Sequence, residues 1–94
     1  MENLRENYRA GSSNRKEFDS ILQSMFPEQD FSEGGKHSKK AKITFQVMID
    51  ENWTVEQFRE TMRKFIYTHK STFWMPNDIF TIKNRLYPEP EISL

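Results

Sequence analysis

The hydrophobic positions of this chain fall into clusters separated by polar or turn-forming stretches. From Asn14 to Phe26, the residues Phe18, Ile21, Leu22, Met25 and Phe26 recur at i, i+3, i+4, i+7 and i+8, which is one face of an α-helix. Asn14 and Glu17 have the spacing of a capping box and Pro27 ends the pattern, so a helix is predicted over 14–26. From Thr54 to His69, a second face is formed by Val55, Phe58, Met62, Phe65 and Ile66, opposite Arg59, Glu60, Arg63 and Lys64. Thr54 and Gln57 make another capping box, Trp53 stands where a hydrophobic staple onto Phe58 would begin, and Lys64 and His69 suit the negative pole of the dipole. That predicts a helix over 54–69. Pro76 then opens a short helix over 77–86, with Ile79, Ile82 and Leu86 facing inward and Pro88 as its stop.

Residues 39–50 fit two periods. Taken two by two, Ile43, Phe45, Val47 and Ile49 alternate with Thr44, Gln46, Met48 and Asp50, as in a half-buried strand. Taken at the helical period, Ala41, Phe45, Met48 and Ile49 share a face, with Ser38 available as a cap. No second segment reads clearly as a pairing strand, and a lone strand is not stable. The reading is therefore an all-α domain of four helices, 14–26, 39–50, 54–69 and 77–86, with an α+β domain carrying a strand at 42–49 as the alternative. Residues 27–38 are a polar linker broken at Gly34-Gly35, from which Phe31 can pack back onto the first helix. Residues 1–12 and 88–94 have few apolar side chains and are expected to be loose ends flanking one domain at 13–87.

Composition narrows what such a domain can do. With 94 residues it is one small domain, and eight Phe, seven Ile, five Met, three Tyr and two Trp supply 25 of its 33 hydrophobic side chains. A few large side chains must do most of the burying. The absence of cysteine excludes a disulfide framework, a thiol nucleophile and thiolate metal ligands, and fits a reducing cytoplasm. No run is long enough to span a membrane, and the first residues lack the apolar stretch of a signal peptide. The formal charge of zero hides a segregation: residues 1–35 carry seven acids and four bases, 36–70 eight bases and four acids, 71–94 three acids and two bases.

Catalytic patterns are missing. His37 and His69 have no metal-binding spacing around them; Asp50, Glu51 and Glu56 near Trp53 read as turn and first-turn helix residues. No nucleophile elbow occurs, and Gly34-Gly35-Lys36 is too short for a phosphate loop. The expectation is a non-enzyme without cofactor or metal. Two segments invite a binding role instead. Lys36, Lys39, Lys40 and Lys42, with Arg63 if the two middle helices pair, form a candidate nucleic-acid surface, with a solvated helix start as the plain alternative. Phe73-Trp74-Met75-Pro76 places four non-polar residues in a turn between helices, either as a core plug or as a partner anchor, or as both with Phe73 inside and Trp74 partly outside.

Trp53-Thr54-Val55-Glu56-Gln57-Phe58, the helix through Phe65 and Ile66, and Phe73-Trp74-Met75-Pro76-Asn77-Asp78-Ile79 together resemble a pattern in phage and plasmid replication proteins. Those helical domains belong to loaders and loading inhibitors of the bacterial replicative helicase. The resemblance spans about residues 43–82 and departs from the pattern at Met75, which separates the aromatic pair from the proline. No ATPase motif accompanies it, so an ATP-driven loader is excluded. The resemblance implies helix at 39–50 and a DNA-replication accessory protein that binds a hexameric helicase in a bacterial or phage-infected cell. Phe73, Trp74, Met75 and Asp78 are then the candidate partner-binding residues.

Overall fold

The computed structural model describes residues 3–4, 13–32 and 34–89. Four helices follow one another: α1 (Ser13–Met25), α2 (Ser38–Asp50), α3 (Val55–Thr68) and α4 (Pro76–Leu86). The described residues contain no strand, and the fold is a small all-α bundle. Burial along α2 explains why 42–49 is helical. Ala41, Thr44, Phe45, Met48 and Ile49 are buried at helical spacing, whereas Ile43, which a strand would have placed beside Phe45, is 51% exposed.

The helices alternate in direction around three groups of large side chains. In the middle, Phe18 of α1 lies 5.6 Å from Phe45 and 6.2 Å from Phe58, and Phe45 meets Phe58 edge-on at 6.0 Å. At one end, Phe26 packs on Phe65 and stacks on Trp74. At the other end, Trp53 meets Phe80 of α4 edge-on at 6.1 Å. Tyr87, just past α4, feels the carboxylates of Glu56 and Glu60, so α4 runs back along α3 to its start.

Local chemistry sets the ends. The α3 capping box is present: the Thr54 hydroxyl accepts from the Gln57 N–H and the Gln57 side chain accepts from the Thr54 N–H, both at 3.0 Å. The expected box on α1 is not formed, because α1 already begins at Ser13; Asn14 lies inside the helix, buried, and Glu17 turns to Arg59 at 3.5 Å. Ser38 likewise is the first residue of α2 and not its cap; its hydroxyl donates to the Gly35 carbonyl. α2 ends in a left-handed turn at Asn52 (φ 59°), where Asn52 N–H bonds to Ile49 O and Trp53 N–H to Met48 O, both at 3.0 Å. This double bond pattern satisfies two of the orphan carbonyls of the last turn and drives Trp53 into the core.

Three expectations are corrected. Ile66 and Leu86 were placed inward by their spacing, yet stand 47% and 41% exposed, because α3 and α4 each bury only a narrow stripe. Residues 3–4 are part of the fold and not of a loose arm: the Leu4 N–H donates to Trp53 O at 3.0 Å and its side chain is fully buried. The remainder of 1–12, and 90–94, lie outside the described residues. The polar stretch 27–38 is closed by its own hydrogen bonds. Ser32 N–H donates to the Asp30 carboxylate, His37 N–H to Asp30 O, and Gly35 N–H to Ser32 O, while the Gln23 side chain of α1 holds Gln29 O. Phe31 is thereby buried against Trp74 and His37. No helix among the described residues is long and apolar enough to cross a membrane.

Candidate protein-interaction site

The turn between α3 and α4 is held at almost every residue. His69, the C-cap of α3, lays its ring 4.7 Å from Phe65, and its Nε2–H donates to Phe73 O at 2.8 Å. The Phe73 N–H donates to the Ser71 hydroxyl. Asp78, in the first turn of α4, accepts from the Met75 N–H at 2.7 Å, so its carboxylate caps the helix whose positive pole it faces. Pro76 at the helix start fixes the remaining backbone angle.

Between these fixed points the chain turns its side chains in alternate directions. Trp74 is fully buried, whereas Phe73 is 60% and Met75 48% exposed. This reverses the expected arrangement of Phe73 inside and Trp74 partly outside. The reason lies in the neighbours: Phe26 stacks on the Trp74 ring at 6.3 Å, and Phe31, expected only against the first helix, closes a second side at 6.5 Å. Trp74 Nε1 is buried with no hydrogen-bond partner among the described residues, so the indole is held through its ring faces and not through its N–H.

Lys40 crosses from α2 to complete the turn. Its Nζ donates to Trp74 O at 2.8 Å and sits 4.5 Å over the Trp74 ring and 5.1 Å over the Phe73 ring. Burial lowers the pKa of this ammonium from its usual range, and the Asp78 carboxylate opposes that shift. A cation held over two aromatic rings is attracted by their negative faces. Lys40, one of the candidate nucleic-acid residues, thus makes its contacts within the fold. A tertiary contact across 34 residues leaves no mark in local sequence patterns.

The other basic candidates divide. Arg63 pairs with Glu60 at 2.7 Å on α3, a helix that packs chiefly on α4 and α1. Lys36, Lys39 and Lys42 are exposed and take part in none of the ion pairs among the described residues. Two of the acids near Trp53 accept side-chain hydrogen bonds: Glu51 from Trp53 Nε1 at 3.1 Å, and Asp50 from the Gln46 side chain at 3.0 Å. A cleft of about 300 Å³ beside the turn is lined by Met25, Phe26, Pro27, Glu28, Gln29 and Thr72, with no converging set of polar groups.

No protein-family pattern matches this chain, and neither a characterised protein nor a solved structure is significantly similar to it.

Proposed function

We propose that the chain is a non-enzymatic protein-interaction module whose contact surface is the Phe73–Met75 turn, with Asp78 and Trp74 as the residues that position it. The observation that supports this reading is the pair of exposed side chains, Phe73 and Met75, on either side of a fully buried Trp74. Their backbone is already fixed by Lys40, His69, Ser71 and Asp78, so little freedom remains to be lost when a partner covers them. Aromatic side chains so presented are the type enriched in binding hot spots.

The resemblance to helicase loaders and loading inhibitors supplies the partner: a hexameric replicative helicase in the cytoplasm of a bacterial or phage-infected cell, the protein acting as a DNA-replication accessory factor. Immobilised wild-type chain and its Phe73→Ala variant, exposed to purified bacterial replicative helicase, test both halves. Capture by the wild type and loss of capture by Phe73→Ala, at unchanged melting temperature, is the expected result. Absence of capture by the wild type rejects the helicase, and capture indifferent to Phe73 rejects the turn.

A further inference from the structure

The outer face of α2 lies beside this turn and has no partner within the fold. Lys39, Lys42, Ile43 and Gln46 share the side of α2 away from buried Ala41, Phe45 and Met48. Ile43, 51% exposed, stands at the centre of that side. Lys40 at its edge is one helical turn from Ile43 and holds the Phe73 ring, so Ile43 and Phe73 border one surface. Lys36, Lys39 and Lys42 surround it without acidic partners among the described residues. The first turn of α2 contains no acid, and its N-cap, His37, makes no side-chain cap bond. Positive charge is thus gathered at the positive pole of a helix; the Asp30 carboxylate near His37 offsets part of it within the fold, and further negative charge from outside is favoured there.

We propose that this surface, the outer face of α2 together with the Phe73 ring, docks an acidic amphipathic segment of another protein. Aliphatic side chains of that segment cover Ile43 and Phe73, and its carboxylates pair with Lys36, Lys39 and Lys42. The proposal rests on the interaction reading of Phe73 and adds the chemical class of the partner. A protein segment fits better than a nucleic acid because Ile43 and Met75, which accompany the exposed Phe73 ring on this surface, are aliphatic and offer successive bases no stacking platform.

The test is selection of short random peptides displayed on phage against the full chain. Titration of the enriched peptides then compares wild type, Phe73→Ala, and Lys39→Glu combined with Lys42→Glu, all checked for unchanged melting. Enrichment of Asp or Glu interleaved with Leu, Ile or Phe is expected, with affinity reduced about tenfold or more by the charge reversal and weakened by rising salt. Enriched peptides that are neutral or basic but still depend on Phe73 overturn the acidic class and leave the docking turn standing. Peptides that ignore both variants, or no enrichment at all, overturn both. An oligo-dT strand that binds the wild type more tightly than any peptide, and loses binding on charge reversal, overturns the proposal in favour of nucleic acid.

Discussion

The indole of Trp74 stacks on Phe26, touches Phe31 and lies under Lys40, while its own N–H goes unpaired. Removing the ring therefore removes packing on three sides. Trp74→Ala is expected to lower stability by about 3–5 kcal/mol in urea denaturation. Trp74→Phe, which sacrifices no N–H bond, should lose distinctly less. Phe73→Ala, one residue away, should stay within about 0.5 kcal/mol because its side chain faces outward. A large loss at Phe73 with little at Trp74 would contradict the burial pattern. Lys40→Met keeps the stem but deletes the bond to Trp74 O and the charge over two rings, and should cost about 1–2 kcal/mol. None of this was legible from the sequence around residues 73–76. The apolar run was visible, but which of its members faces inward is decided by Phe26, Phe31 and Lys40, which are distant in the chain.

Helices were more legible than the segments that join them. The stripes on α1 and α3, the Thr54–Gln57 box and Pro76 all carry their cause within a few residues, and those elements stand where their spacing puts them. α2 was ambiguous because β-branched and aromatic residues suit either period; the buried set Ala41, Phe45 and Met48 shows that packing decided it. The α2–α3 corner illustrates what was missed. Asn52 adopts a left-handed conformation that glycine adopts freely, so Asn52→Gly should be neutral or slightly stabilising, whereas Asn52→Ala should cost about 1 kcal/mol in a thermal melt. The 27–38 segment carries a pH dependence of its own. Hydrogen bonds from the Ser32 hydroxyl and then the Ser32 N–H, with a smaller contribution from nearby His37, hold the Asp30 carboxyl below its usual 3.8. A carboxyl whose folded pKa is depressed contributes stability that is present above about pH 4 and drains away as acid carries the pH through the folded value. Asp30→Asn should flatten that acidic limb relative to wild type, and stability curves from pH 2 to 6 are the check. Identical limbs would remove Asp30 as the cause.

Across the whole molecule, three aromatic groups are threaded by helices that each touch more than one of them. Phe18 lies on α1 and Phe26 directly follows it, while Phe58 and Phe65 lie on α3, so the middle and one end share two stretches of backbone. Such sharing favours a single cooperative transition. Trp53 and Trp74 sit at opposite ends and provide natural probes of it. Fluorescence of Trp74→Phe, which reports Trp53 alone, should change together with far-UV circular dichroism; separated midpoints would reveal two units. Leu4→Ala should shift both midpoints together by an amount corresponding to about 2–5 kcal/mol, a large part of the ~5–15 kcal/mol typical of a domain.

Leu4 and Tyr87 bear on how the protein can be handled. Leu4 is bonded to Trp53, and Tyr87 lies by Glu56 and Glu60, so both ends of the described chain meet at the start of α3. The Phe73 turn follows the end of the same helix, whose 14 residues set the two places about 20 Å apart. A fluorophore or biotin attached at Glu89, an exposed described residue just past Tyr87, is therefore joined at the pole remote from Phe73 and Met75. A sensor surface that grips the protein at that residue presents the proposed contact face outward and leaves it unobstructed.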